Sequence, residues 1–436
     1  MPIALLRDFA GDHKRGLKDA IREAQSFVRG RSFWKEAEAA VWRLPLPEDV
    51  VYSIIDTYLS RDIETLRSLS LSCKALALYC QRTILQVVTV STIRYERKSS
   101  PFKRFASVIE EDSRILELAQ ELKLLDKHYT VLPGEGPKHM TKSQVALQTI
   151  LKQPWKALHR LHLSMQGDWE KIPKPLKRAI VHALKLPTLR ELALSGIEVP
   201  LHLISHCRGL ETLEVRGDAR VPIRHSTPTK MATIAPRRLV LQRTDPAHLM
   251  QLFSETSSLR HHNLASLTFG AQRSMVQDVI QALPPMTLRS ISSLTILLTH
   301  PISDQGPCLL SLKGFSRLES IGISEELFGK NPAALEWVFQ ILSSLRPSTR
   351  LRTIELSFRY DDMQHIFDCD WTQIDKLLQR RWPRLEELRV VGYARYPLEM
   401  DWYRIHNFGK RLSAKLPSLR RGVLQTEVKN AYDLWK

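Results

Sequence analysis

Residues 158–163 read L-H-R-L-H-L, and residues 189–194 read L-R-E-L-A-L. Aliphatic residues at the first, fourth and sixth places frame polar ones in both. The same frame opens at Leu210 (Leu213, Val215), Pro236 (Leu239, Leu241), Leu264 (Leu267, Phe269) and Ile291 (Leu294, Ile296). It continues at Leu318 (Ile321, Ile323), Leu351 (Ile354, Leu356), Leu385 (Leu388, Val390) and, weakly, Leu419 (Gly422, Leu424), with a degenerate copy before them at Ala119, Leu122 and Leu124. Side chains two apart on a strand share a face, so each L-x-L pair points to one side and its intervening residues to the other. Between the copies, Leu176 to Leu184, Leu249 to Phe253, Val276 to Leu283, Leu335 to Leu342 and Ile374 to Leu378 carry apolar residues at helical spacing.

Strand then helix, repeated about every 29 residues from Leu158 to Leu419, is the long form of a leucine-rich repeat. The expected fold class is therefore α/β, a leucine-rich-repeat solenoid over residues 115–436 with a curved parallel sheet and outer helices. The periodicity also accounts for about 65 leucines in 436 residues. Ten strands roughly 4.8 Å apart line an inner face about 45 Å long, room for a protein contact of about 800 Å² per partner. A doubly wound enzyme would share the strand-helix alternation, but the chain has no G-x-G-x-x-G or G-x-x-x-x-G-K phosphate loop. It also lacks a G-x-S-x-G elbow and a H-E-x-x-H pair. No cofactor and no small-molecule substrate are expected.

The polar positions of the frame nominate a client-binding face: Arg160, His162, Glu191, Glu214, Arg216, Arg238, Gln242, Glu355, Glu387 and Arg389. Their signs are mixed, and the middle of the series is small and polar (Ser266, Thr268, Thr295, Ser320, Ser324, Thr353). A groove for nucleic acid would carry one sign of charge and interleaved aromatic rings, so a protein client is the expectation.

Residues 44–90 follow another rule. Pro47, Glu48 and Asp49 make a helix start, because proline suits the first turn and carboxylates favour the positive end of the helix dipole. Val50, Ile54 and Tyr58, with Val51, Ile55 and Leu59, then recur every four residues. Ile63, Leu66 and Leu69 mark a second helix; Cys73, Leu76, Cys80 and Ile84 mark a third. Three helices in about forty residues bury little surface by themselves, which calls for a partner.

The stretch L-P-L-P-E-D-V-V-Y-S-I-I-D-T-Y-L-S-R-D-I-E-T-L-R-S-L-S-L-S-C-K-A-L resembles the F-box, in the divergent form near the N-terminus of many fungal proteins. Leu46-Pro47, the Ile54/Ile55 and Leu59 ridge, Leu66, Leu69 and Ser72-Cys73-Lys74 carry the likeness; Leu76 stands where the family often has tryptophan. The resemblance implies a substrate-receptor subunit of an SCF-type cullin-RING ubiquitin ligase. Its helices would dock on the S-phase kinase-associated adaptor protein, and through it a cullin, using Leu46, Pro47, Val50, Ile54, Leu69 and Cys73. It implies a non-catalytic chain, working in the cytoplasm or nucleus. Residues 1–43 are expected to be a helical or partly flexible leader and 91–114 a basic linker.

Composition agrees with a folded chain: 43% hydrophobic and 25% charged residues, with 17 glycines. Sixty-four basic against 46 acidic side chains leave a formal charge of +18, which keeps a nucleic-acid or membrane-surface binder as a rival. A scaffold that works without a ligase is the other. No apolar run is long enough to span a bilayer, and Arg7 and Asp8 interrupt the start before a signal-peptide core forms. Cys73, Cys80, Cys207, Cys308 and Cys369 form no C-x-x-C pair and read as reduced, mostly buried thiols. Asp361, His365 and Asp368 would share a face if helical, but this acidic stretch reads first as helix capping and solvated charge. His159 and His162, three apart on a strand, face opposite sides.

Overall fold

A computed structural model describes residues 48–59, 62–71, 74–92, 100–126, 140–197, 199–216, 234–242, 252–253, 259–260, 262–298, 311–327, 333–346, 350–360, 362–394, 402–419 and 422–430. The leader 1–43, Leu46, Pro47 and Cys73 fall outside them. The chain divides into two compact units, one running to Val88 and including Ser113–Glu121, the other comprising Thr89–Asp112 and Leu122 onward.

In the first unit, helix Glu48–Ile54 runs into a π-helical turn, Ile55–Leu59. Helix Ile63–Ser70 starts at Asp62, whose carboxylate accepts from the Thr65 amide (3.1 Å) and hydroxyl (2.8 Å). Helix Lys74–Gln86 follows, and the short helix Arg114–Leu118 belongs to the same unit. The core is small: Ile55, Leu66, Leu76 and Cys80, with Val51, Tyr52, Leu69, Tyr79 and Ile84 packed against it. Tyr52 and Tyr79 stack with ring centroids 4.0 Å apart, and the Tyr79 hydroxyl donates to Asp56 (2.7 Å). Burial, then the hydrogen bond and charge of Asp56, push the Tyr79 phenol up to about 12.

The sheet has twelve strands: β1 Val87–Ser91, β2 Glu121–Leu125, β3 Arg160–Gly167, β4 Glu191–Ile197, β5 Thr212–Arg216 and β6 Arg238–Leu241. They continue as β7 Ser266–Ala271, β8 Ser293–Leu298, β9 Ser320–Leu327, β10 Thr353–Tyr360, β11 Glu387–Ala394 and β12 Leu424–Asn430. Order in space is order in sequence, β1 to β12, and the pairings from β3 onward are parallel. Register aligns one aliphatic column across ten strands: Leu161, Leu192, Leu213, Leu239, Leu267, Leu294, Ile321, Ile354, Leu388 and Leu424. From Leu161 to Leu388 every member is at most 1% exposed. A second column, Leu163, Leu194, Val215, Leu241, Phe269, Ile296, Ile323, Leu356 and Val390, is equally buried. Helices Lys174–Leu184, Arg273–Ala282, Ala333–Ser344 and Thr372–Arg381 occupy the connections read as helical from the sequence; Leu249 to Phe253 is described only at Leu252 and Phe253, both buried.

Three local details differ from the sequence reading. Residues 44–90 end in a strand, β1, where only helices were expected: Val87-Val88-Thr89-Val90 is a β-branched run that packs poorly in a helix. Within 91–114, Pro101–Glu111 is a helix with proline in its first turn, burying Phe102, Ala106 and Ile109. The last repeat is displaced by two residues, because Leu388 pairs with Leu424 and not with Gly422. Gly422 has φ +88°, brings no side chain to the column, and sits in the turn before β12. A two-residue slip preserves facing, so the alternation alone could not detect it.

Candidate functional site

The sheet face opposite the aliphatic columns gathers the charged residues into two groups. At β3–β5, the Arg160 guanidinium reaches Glu191 (3.4 Å) and Glu214 (3.8 Å), and Arg216 Nε donates to Glu214 Oε1 (2.5 Å). Glu214 is 7% exposed, so its carboxylate lies low between two arginines. His162 lies in the same row of the sheet as Glu214, with Ala193 between them. Burial, then the positive fields of Arg216, Lys123 and Arg160, bring its pKa down to about 4, so the ring is neutral near pH 7. Its Nε2 is buried and makes no hydrogen bond among the described residues.

At β10–β12, Arg389 reaches Glu355 (3.4 Å) and Glu427 (2.6 Å), and Lys429 pairs with Glu427 (3.0 Å). The hydrogen bond to Glu427 heads the causes that raise the Arg389 pKa; burial pushes Glu427 up, but its bonds from Arg389 and Lys429 hold it below the usual carboxylate range. Glu387 adds negative charge beside Arg389. Between the groups, β7–β9 present Ser266, Thr268, Ser293, Thr295, Ser320 and the bare Gly322, where a Cβ would lie 3.0 Å from the Thr295 side chain.

The nominated residues thus fall into two sets. Arg160, His162, Glu191, Glu214 and Arg216 come together at one end, and Glu355, Glu387 and Arg389 at the other. Arg238 is exposed on β6 and Gln242 follows that strand; neither has an ion pair among the described residues. Sequence reasoning passed over Lys123, Glu427 and Lys429, which lie on the strands with the weakest repeat signal. It also passed over Glu325, 3% exposed, which pairs with Arg273 at the start of helix Arg273–Ala282. Arg273 in turn lies 5.8 Å from the Trp337 ring. Counting one residue pair beyond Ile321 and Ile323 on β9 places Glu325 on the buried side, so the signal was present.

The acidic stretch after β10 caps helices: Asp362 accepts from the Gln364 amide (2.9 Å) and Asp370 from the Thr372 amide (3.0 Å). Asp361 lies outside the described residues, and no group of three or more metal-ligating side chains occurs among those described. Cys80, Cys207 and Cys369 are buried free thiols. Burial pushes Cys207 up to about 12 and Cys369 up to about 11, which keeps both protonated and unreactive.

In the first unit, Val50 and Ile54, two of the nominated docking residues, are 39% and 40% exposed and share a helix face at spacing four. Leu69 packs on the unit's own core. The sequence reading missed Ile63, Leu71 and Leu78, which are 49%, 80% and 64% exposed. Leu78 was detectable: Leu76 and Cys80 are four apart and buried, and a residue midway between them projects from the opposite face. Among the described residues no helix is long and apolar enough to cross a membrane. Neither protein-family models nor curated proteins match the chain.

Proposed function

We propose that the chain is the substrate receptor of an SCF-type cullin-RING ubiquitin ligase, with residues 44–90 as an F-box-like docking unit and residues 115–436 as client-capturing leucine-rich repeats. The observation that carries the reading is the apolar surface of the first unit. Val50, Ile54, Ile63 and Leu78 stand on helices, and Leu71 just past a helix end, around a core cluster of four buried residues. Large aliphatic side chains left in water on so small a unit mark a protein contact. Covering them against the S-phase kinase-associated adaptor protein would contribute roughly 25 cal/mol per Å² of apolar area before association costs.

In this reading no bond is made or broken by the chain. Its contribution is proximity, raising the local concentration of a client lysine near an activated thioester. The client would lie across the sheet face, its charged groups exchanging with the two ion clusters and its centre resting on the small side chains of β7–β9. The complex would work in the cytoplasm or nucleus.

Retention of purified adaptor by the immobilised full chain tests the proposal. The wild type is expected to retain adaptor, a Val50→Asp, Ile54→Asp variant to lose it, and a Leu46→Ala, Pro47→Ala variant to retain less. Equal retention by all three, or none by any, sinks the docking idea and leaves a ligase-independent scaffold.

A further inference from the structure

Away from the sheet face, helix Lys174–Leu184 carries a row of positive charge that the proposed function does not use. Its inner side is fixed by Leu176, Ala179, Ile180, Ala183 and Leu184, all buried. Lys174, Arg178 and His182 recur every four residues on the other side, and Lys185, close to three turns past Lys174, returns to the same line. All four are exposed. At 1.5 Å per residue the row is about 17 Å long. Lys171, exposed at the end of the turn Trp169–Lys171, precedes it.

Beside the row, a groove of about 540 Å³ lies between this helix and the short helix Leu201–Ile204. Lys177, Arg178 and Lys185 bring its charge, and Trp169, Val181 and Leu203 its apolar surface. His182 and His202 complete the lining, which holds no carboxylate among the described residues. The two kinds of lining differ in depth: Trp169 is 7% exposed and Val181 and Leu203 are half-buried, whereas Arg178 and Lys185 are exposed. Lys177 is fixed in place. Its Nζ donates to the Glu170 carbonyl (3.3 Å), pairs with the Glu170 carboxylate (3.8 Å) and lies 5.7 Å from the centre of the Trp169 ring. Lys171, Lys174, Arg178 and Lys185 have no carboxylate partner among the described residues, in contrast to Arg160, Arg216 and Arg389 on the sheet face.

A row of unpaired cations this long is matched by an extended polyanion: phosphates of a stacked strand lie about 3.4 Å apart along its axis, so about five span the row. An apolar bed beside the row suits the faces of bases, which a single strand exposes and a duplex hides. Charge of one sign and aromatic surface, the two properties missing from the sheet face, come together here. We infer that this outer groove binds single-stranded nucleic acid without reading its sequence. Phosphates lie along Lys174, Arg178 and Lys185, and a base covers Val181 and Leu203. A bilayer is a poorer match, because the groove's apolar side chains are more buried than its exposed cations and offer nothing to insert. The site is separate from the docking helices and stands whether or not they bind the adaptor.

The test uses the full chain and fluorescent uridine or deoxythymidine oligomers of about twelve nucleotides, read by anisotropy across a salt series. Affinity for both is expected to fall with salt at a log-log slope of about −3, or about 0.7 for each phosphate met by Lys174, Lys177, Arg178 and Lys185. Lys174→Gln, Arg178→Gln, Lys185→Gln is expected to weaken binding more than about tenfold at low salt and to cut the slope to about −1. Arg317→Gln, Arg350→Gln, Arg384→Gln removes the same charge from exposed positions elsewhere and is expected to stay within about twofold of wild type. Leu203→Ser is expected to weaken binding about threefold with the slope unchanged, the mark of a base on the apolar bed. A gap between the two oligomers beyond about threefold would assign the sugar that the groove prefers. No binding by the wild type, an equal loss in the control triple, or a Leu203→Ser variant indistinguishable from wild type would overturn the proposal. So would a duplex, a polyglutamate or phosphatidylserine vesicles bound through the same three cations as tightly as the single strand. A thermal melt of each variant matching wild type excludes loss by unfolding.

Discussion

The two units treat their side chains in opposite ways. In the sheet unit two aliphatic columns are sealed from solvent and most nominated charges on the other face find partners across strands. The core cluster of the first unit has four buried residues, yet six of the nine large apolar side chains exposed among the described residues belong to that unit: Val50, Ile54, Ile63, Leu71, Leu78 and Val87. A repeat array grows by adding strands that bury their own pairs against the next. A three-helix unit of this size has too much surface for its volume to do the same. The contrast teaches that the sheet unit is stabilised from within, while the small unit leaves large apolar side chains exposed among the described residues.

The strongest challenge to this contrast is aimed at the buried charge of the sheet unit. Arg273→Leu strands the Glu325 carboxylate without its partner and is expected to destabilise the chain by about 3–5 kcal/mol, measured by denaturant unfolding. Loss of less than 1 kcal/mol would mean that Glu325 takes up a proton or finds solvent. Next comes Leu294→Ala, in the middle of the first column, with an expected loss of about 3 kcal/mol, against less than about 0.5 kcal/mol for Thr295→Ala on the opposite face.

A smaller effect is set by pH. The His162 pKa is lowered to about 4 from an ordinary 6.5, so below pH 6.5 the unfolded chain binds a proton that the folded chain refuses. Stability therefore falls as pH drops from 6.5 toward 4, and His162→Gln is expected to remove roughly 2 kcal/mol of that fall, reduced from the full linkage value because the ring is partly solvated. Parallel stability-pH curves for the two proteins would show that the ring is not shielded. The least change is expected for Leu71→Ser, Leu78→Ser, at most about 0.5 kcal/mol in stability, together with weaker adaptor retention. A large loss of stability there would place those side chains inside the folded protein and erase the contrast.

Legibility followed the same division. Leu161, Leu192 and their counterparts were readable because burial on one sheet face imposes a period of two, and the helical connectors because they obey a period near four. The frame failed at Gly422, where a slip of two residues keeps every side chain on its expected face. Of the candidate site, the residue types were legible and their partners were not. Arg389 and Glu427 are 38 residues apart in the chain and meet only because β11 and β12 lie side by side.

By itself the sequence determined the α/β alternation, the aliphatic pairs, the order of the strands and the three short helices, since these depend on spacing within a few residues. Tertiary structure alone decided which carboxylates pair with Arg160, Arg216 and Arg389. It decided too that the buried Glu325 meets Arg273 and that Leu71 faces solvent. Charge pairing and exposure depend on neighbours brought together from other strands and helices, and no local pattern encodes those distances.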